Sequence, residues 1–178
     1  MTRPGYPAYR NTLRALGTSV VELACGAEVR YQPTVAMLEA ERVARGAAPK
    51  GLVVASPANP TGTIIDADEL AAIARWCDAH GVLLVSDEIY HGVTYGTGPD
   101  AKGVCAREVD EHAIVVSSFS KYWGMTGWRL GWLLVPQDLR AAVDALAGNI
   151  ALCPPAAAQE AAVAAFSEES YRQCEAAL

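Results

Sequence analysis

The sequence has 178 residues, 52% of them hydrophobic, and a formal net charge of −6. This length and composition suit one globular domain with a buried core and exclude an intrinsically disordered chain. The acidic balance argues against nucleic acid as a partner, because phosphate binding needs a basic surface, and no apolar run approaches the roughly 20 residues of a membrane span.

The predicted elements alternate between helices and short apolar strands. Apolar residues at helical spacing predict helices, and short runs rich in β-branched residues predict strands. In chain order, the predicted helices cover residues 6–16, 35–45, 67–80, 137–151 and 156–166. The predicted strands cover residues 19–23, 51–55, 82–85, 113–117 and 130–135.

The helix at 67–80 has clear boundary signals. Asp66 is predicted as its N-cap, and Glu69, three positions on, completes a pair that resembles a capping box. Gly81 is predicted to end the helix. Helices that alternate with almost wholly apolar strands predict βαβ units, and therefore a three-layer α/β/α fold with a mostly parallel sheet.

The cysteines and histidines indicate neither disulfides nor a metal. The five cysteines are odd in number, scattered, and form no CxxC pair. Reduced thiols in the cytoplasm are therefore expected, and the opening MTRPGYPAYR lacks the apolar core of a signal peptide. The three histidines lie at no metal-ligand spacing, so no metal site is expected.

Polar residues follow the predicted strands at the edge where parallel sheets bind ligands. Residues 56–59 follow one strand, residues 86–88 follow the next, and residues 118–121 follow a third. Arg129 precedes the last strand, where an arginine is rarely placed unless it is paired. The sequence therefore predicts a binding site at this edge of the sheet.

Lys121 is the most informative of these residues. It lies within SSFSKYWGMTGWRLGW, among hydroxyl residues, glycines and three tryptophans, whereas a lysine is ordinarily a solvated surface charge. A partly desolvated lysine near other cations has a lowered pKa and becomes a nucleophile. Its natural reaction is Schiff-base formation with a carbonyl, and the aldehyde of pyridoxal phosphate is the candidate that gives every neighbour a role.

The phosphate of such a cofactor needs cations and hydroxyl donors. Arg129 has a guanidinium fork that suits phosphate, and Ser118 and Ser120 can supply hydroxyl groups. Ordinary loop serines are the alternative interpretation of both positions.

The cofactor ring needs a carboxylate and further donors. Asp87 would pair with the pyridine nitrogen and keep it protonated, while Tyr90 and Asn59 would hydrogen-bond the phenolic oxygen. The free Lys121 amine could then act as the general base that moves the α-proton of a substrate. A helix cap at Asp87, a core position at Tyr90 and a simple turn at Asn59 are the alternatives.

Three segments resemble, in order and spacing, the hallmark segments of the class I/II aminotransferases, which are pyridoxal-phosphate enzymes of fold type I. These segments are SPANPTG, SDEIYHGVTYG and SSFSKYWGMTGWRLGW, and the opening PGYPAYRNTLRALG also fits. The resemblance implies amino-group transfer between an amino acid and a 2-oxo acid, pyridoxal 5'-phosphate as cofactor, and a homodimer. It also implies that residues 1–178 form a partial large domain, without the family's N-terminal segment and C-terminal small domain.

The resemblance carries the same roles onto single positions, namely Lys121, Ser118, Arg129, Asp87, Tyr90 and Asn59. Asn59 also matches an asparagine that touches the substrate carboxylate. Tyr6 matches an aromatic residue that stacks on the pyridine ring, with a tyrosine that fills the core as the alternative. An uncovered apolar sheet in such a partial domain predicts marginal stability and a tendency to associate.

Three other functions stay open at this point. A carbon–sulfur lyase of the same fold would share Lys121, Asp87 and Arg129, although GMTGWRLG favours the aminotransferases. A transcription regulator's aminotransferase-like domain would bind the cofactor without turnover. An inactive fragment is the third alternative.

Overall fold

The computed structural model describes residues 1–95 and 102–178. Its helices are α1 (Pro7–Ala15), α2 (Val35–Arg45), α3 (Ala67–His80), α4 (Ala106–Val109), α5 (Arg140–Ile150), α6 (Ala156–Ala165) and α7 (Glu168–Ala177). Its strands are β1 (Thr2–Arg3), β2 (Leu23–Ala24), β3 (Gly51–Ala55), β4 (Leu83–Asp87), β5 (Ile114–Ser118) and β6 (Gly131–Leu134). Gly96, the last residue of SDEIYHGVTYG, lies outside the described residues.

The main sheet has the strand order β3-β4-β5-β6. The β3–β4 and β4–β5 pairs are parallel, whereas β6 runs antiparallel to β5, with Ser118 opposite Gly131. Residues 119–130 include a single 3₁₀ turn and no crossover helix, so β6 runs back directly beside β5. The predicted α/β fold with a mostly parallel sheet is confirmed.

One face of the sheet carries the main core. Strand residues alternate between this face and the other, and α2 and α3 pack over it. The largest side chains buried there are Leu52, Val54, Leu70, Ile73, Leu84 and Val115. Complete burial of each such side chain contributes roughly 1.5–3 kcal/mol.

A second apolar cluster lies beside the Lys121 segment. Phe119 is buried against Ala162 and Ala165 of α6, and its ring lies 5.0 Å from Trp123 and 5.1 Å from Trp132 between centroids. The indole of Trp123 donates a hydrogen bond to the Ala165 carbonyl at 2.8 Å. The chain around Lys121 is therefore anchored on α6.

The predicted capping box at the start of α3 is wrong. Asp66 is the N-cap by backbone geometry, but its side chain caps nothing. Its two carboxylate oxygens instead accept hydrogen bonds from Arg30 Nη1, Oδ1 at 3.0 Å and Oδ2 at 2.9 Å. The Glu69 carboxylate accepts from the Val35 amide at 2.9 Å, because that N–H at the first turn of α2 has no partner inside its own helix. Glu69 thus joins two helices.

Other boundaries differ from prediction by a few residues. The β-rich stretch at 19–23 contributes only its end to β2, which pairs in parallel with β1. The helix predicted from 137 begins at Arg140, and α7 was not predicted. Within the described residues, no helix combines the length and apolar character needed to cross a bilayer.

Candidate active site

A cavity of about 300 Å³ opens beyond the carboxyl ends of the parallel strands. Asn59 follows β3, Asp87 ends β4, and Lys121 follows β5, so three strand ends deliver their polar residues to one place. All but one of the residues predicted from the sequence line this cavity, namely Tyr6, Asn59, Asp87, Tyr90, Ser120, Lys121 and Arg129. Ser118 is the exception.

Asp87 is held at both carboxylate oxygens. Its Oδ1 accepts a hydrogen bond from the Ile89 amide at 3.0 Å, and its Oδ2 accepts a short hydrogen bond from the Tyr9 hydroxyl. Burial, reinforced by the Asp87 carboxylate, raises the pKa of Tyr9, so its hydroxyl stays neutral and donates. Sequence reasoning missed Tyr9, although its place in PGYPAY, three residues after Tyr6, was the available signal.

Lys121 is half-buried and faces Tyr90. Its Nζ lies 5.7 Å from the centroid of the Tyr90 ring, within the range of a cation–π contact. The backbone around it is fixed, because Gly124 N–H donates to the Lys121 carbonyl at 3.0 Å and the Thr126 hydroxyl donates to the Ser120 carbonyl at 2.7 Å. The amine therefore projects into the cavity from a turn that is bonded internally.

Arg129 and Ser120 line the same cavity as Lys121. Arg129 adopts a left-handed backbone conformation, with φ of 54°, and its Nη1 donates to the Thr126 carbonyl at 2.7 Å. Ser120 is buried, and its amide donates to the Ser118 hydroxyl at 3.1 Å. Ser118 lines the neighbouring cavity next to Tyr122 instead.

Asn59 is presented by a turn that buried polar groups support. The Gly62 amide donates to the Ala58 carbonyl at 2.7 Å, and Gly62 has φ of +68°, where a side chain would be strained. Gln32, only 5% exposed, donates from its amide nitrogen to the carbonyls of Ala55 and Thr63 at 3.2 and 2.8 Å. Sequence reasoning missed Gln32, because nothing local links it to a turn that follows it by two dozen residues.

The groups in the cavity fit pyridoxal phosphate. An amine, a carboxylate fixed at both oxygens, a phenol and a guanidinium are the types that an aldehyde, a pyridine nitrogen, a phenolic oxygen and a phosphate require. In this fit the Lys121 amine would meet the aldehyde, the Asp87 carboxylate the pyridine nitrogen, and the Arg129 guanidinium the phosphate. Across residues 1–95 and 102–178, no group of three or more metal-ligating side chains converges.

Known sequences resemble this chain over almost its whole length. The sequence model described as "Aminotransferase class I and II" matches residues 1–177. The valine–pyruvate aminotransferase of Mycobacterium tuberculosis is 56% identical over 176 residues, which are 98% of this chain and 44% of that protein. An aspartate aminotransferase of Geobacillus stearothermophilus is 41% identical over 119 residues, which are 66% of this chain and 30% of that protein.

Solved structures agree with the fold. An aminotransferase from M. tuberculosis superposes with a TM-score of 0.90 at 55% identity, over 99% of this chain and 46% of that one. A double mutant of the Thermus thermophilus aspartate aminotransferase gives a TM-score of 0.85 at 32% identity, over 98% and 44%. The chain therefore spans less than half the length of these relatives.

Proposed function

The chain belongs to the class I and II aminotransferase family, and from that premise we propose that it binds pyridoxal 5'-phosphate and takes part in amino-group transfer between an amino acid and a 2-oxo acid. The observation that carries the proposal is the meeting of Lys121, Asp87 and Arg129 in one cavity at the carboxyl ends of the strands. A lysine with only a structural role would not need a carboxylate held at both oxygens in the same cavity.

The proposed roles follow from the chemistry of each group. When bound, pyridoxal phosphate supplies a protonated ring that takes up the electron pair left at the substrate α-carbon. Asp87 holds the proton on the ring nitrogen, because a carboxylate stabilises the adjacent positive charge. Lys121 would hold the cofactor through its amine, and the same amine, once free, would be the base placed to move the α-proton of a substrate.

The remaining residues bind and orient. Tyr90 and Asn59 donate hydrogen bonds to the phenolic oxygen, and Asn59 also contacts the substrate carboxylate. Arg129 and Ser120 bind the phosphate from the cavity wall. Ser118 stays a predicted phosphate ligand. In this structure its hydroxyl accepts a hydrogen bond from the Ser120 amide. Tyr6, which is exposed in part and lines the cavity, would stack on the ring.

The substrate, assembly and location are proposals of the same kind. Identity of 56% with a valine–pyruvate aminotransferase makes valine and pyruvate the first pair to test. Residues 1–178 correspond to part of a large domain, since they cover less than half of each relative named above, and a homodimer is proposed by family resemblance. All five cysteines are unpaired, which supports a cytoplasmic location.

The proposal is tested by trapping the cofactor on the protein. The chain is incubated with pyridoxal phosphate, reduced with borohydride and mapped by peptide mass spectrometry. We expect the borohydride-stable link on Lys121, with loss of that link in Lys121→Ala and retention in the control Lys50→Ala. An adduct spread evenly over Lys50, Lys102 and Lys121, or one that survives Lys121→Ala, would contradict the assignment.

Turnover is measured separately. Transfer of the amino group from valine to pyruvate yields alanine, whereas a carbon–sulfur lyase would break cystathionine and water down to a thiol, pyruvate and ammonia. Alanine formation from valine and pyruvate that depends on Lys121 supports amino-group transfer. Ammonia release from cystathionine, without alanine formation from valine and pyruvate, would favour the lyase.

A further inference from the structure

Tyr9 makes a contact that the roles above do not use. It lies in α1, and its hydroxyl donates to Asp87 Oδ2 across 78 positions of sequence. The side chain is partly buried and lines the cavity beside Tyr6, with the two rings 5.6 Å apart in an edge-to-face arrangement. Tyr9 therefore contacts both Tyr6 and the carboxylate of Asp87.

The Asp87 carboxylate keeps capacity for a third partner. A carboxylate offers about four lone-pair sites. The Ile89 amide uses one on Oδ1 and the Tyr9 hydroxyl uses one on Oδ2. The two bonds fix the plane of the carboxylate, and each oxygen keeps a lone-pair site that accepts no hydrogen bond from these two donors.

The Ile89 contact alone leaves this orientation undetermined. A single hydrogen bond at Oδ1, donated from two residues along the same chain, permits rotation of the carboxylate about its side-chain bonds. The second bond comes from another element and removes that freedom. The Tyr9 hydroxyl keeps its proton, and can donate it in this hydrogen bond, across the physiological pH range, because burial raises the pKa of Tyr9.

We propose that Tyr9 is a positioning residue that orients the Asp87 carboxylate toward the pyridine nitrogen and strengthens its contact with the protonated ring. The inference rests on the proposed function. It assigns Tyr9 no contact with substrate, so its effect passes through Asp87.

The test compares two cofactors that differ at one atom. Dissociation constants of pyridoxal phosphate and of 1-deazapyridoxal phosphate, which lacks the ring nitrogen, are measured for the wild type and for Tyr9→Phe. We expect Tyr9→Phe to weaken binding of pyridoxal phosphate about tenfold, the loss typical of one hydrogen bond to a charged group. The deaza form should change less than about twofold, because it offers Asp87 nothing to bind. Tyr31→Phe, which removes a hydroxyl from an exposed tyrosine outside the cavity, is the matched control.

A double-mutant cycle tests the route through Asp87. In an Asp87→Asn background, Tyr9→Phe should have almost no further effect on the affinity for pyridoxal phosphate. Equal losses for both cofactors, no loss for either, or additive effects in the cycle would overturn the inference and leave the proposed function standing. Failure of the wild type to bind either cofactor would overturn the proposed function, and the inference with it.

A second measurement covers the case in which Tyr9→Phe does not fold. Tyrosine ionisation is followed by absorbance near 295 nm in the wild type and in Asp87→Asn. In the pH range where both proteins stay folded, a larger fraction of tyrosine should ionise in Asp87→Asn than in the wild type, because the carboxylate no longer raises the pKa of Tyr9. Identical titrations would overturn the proposed coupling between Tyr9 and Asp87.

Discussion

The five cysteines of this chain range from buried to exposed. Cys25 and Cys77 are buried in the main core, and desolvation raises the pKa of Cys77 to about 12. Cys153 is exposed. Since the thiolate is the reactive form, a thiol reagent should label Cys153 in the folded protein and reach Cys25 and Cys77 only on unfolding.

The raised pKa of Cys77 has a consequence for stability at alkaline pH. The unfolded thiol loses its proton near its ordinary value of 9.0, whereas the folded thiol keeps it until about 12. The folded state binds more protons in this window, so this contribution is complete below pH 9 and is lost as pH rises toward 12. We expect the free energy of unfolding, measured with urea at pH 8, 9 and 10, to fall across the series.

The variant comparison isolates the thiol. Cys77→Ala should have a lower stability at pH 8, from the lost packing, but a flatter dependence on pH. Cys153→Ala should keep the slope of the wild type. A slope in Cys77→Ala equal to that of the wild type would show that other groups, Tyr9 among them, account for the alkaline loss.

The sequence located most of the candidate site because its residues follow predicted strands. Strand ends at Asp87 and Lys121 can be read from local apolar runs, and the rule for parallel sheets then brings them together. Tyr9 and Gln32 could not be found this way, because each acts on a partner distant in sequence through one side-chain bond. Which loop serine faces the cavity depends on χ angles that no local pattern encodes.

At the scale of elements, Glu88 joins the end of β4 to α4. It is 3% exposed, its Oε1 accepts from the Ala106 amide at 2.7 Å, and its Oε2 lies 3.4 Å from His91 Nδ1. Its neighbour in sequence is Asp87. The buried carboxylate therefore fixes the backbone that carries one wall of the cavity.

Removal of this carboxylate should be costly. Glu88→Ala leaves the Ala106 amide buried without its acceptor, so we expect a loss of about 2–4 kcal/mol in the free energy of unfolding. Glu88→Gln keeps an acceptor of the same length and should lose less. Urea denaturation checks both, with the exposed Glu111→Ala as control at under about 0.5 kcal/mol. Equal losses in Glu88→Ala and Glu111→Ala would contradict this role.

Elements were predicted well where local signals act alone. The bounds of α2 and β3 agree with the sequence, since apolar spacing and Gly46 mark them. The antiparallel direction of β6 was not predicted, because direction depends on where the returning chain meets the sheet. The use of Glu69 to cap α2 rather than α3 likewise depends on helix packing.

At the scale of the whole molecule, large apolar side chains remain exposed on β6 and α5. Leu133 and Leu134 of β6 are 50% and 41% exposed, and Ile150 at the end of α5 is 75% exposed. Within the described residues no strand pairs with the outer edge of β6. Val53 and Val85, on the other face of the sheet, border an apolar groove of about 650 Å³.

Such surfaces favour association of the chain in water. We expect sedimentation velocity to show assemblies that grow with protein concentration in the micromolar range. Lysines introduced at Leu133 and Leu134 should shift the distribution toward the monomer, because edge charges oppose strand pairing. Asp144→Lys on exposed α5 is the control for added positive charge. A wild type that stays monomeric at every concentration would contradict the prediction.

Because β6 returns antiparallel to β5, the residues that line the cavity should come together at different stages of folding. Lys121 and Arg129 lie on one loop that the Ser118–Gly131 pair closes, and closing a short loop costs little chain entropy. Any state that contains the β5–β6 hairpin already holds the amine and the guanidinium as neighbours. Asn59, Asp87 and Tyr6 join them only when the parallel strands have docked through long-range contacts. The approach of Lys121 to Arg129 therefore depends only on local chain closure, whereas the approach of Asn59, Asp87 and Tyr6 depends on the completed sheet.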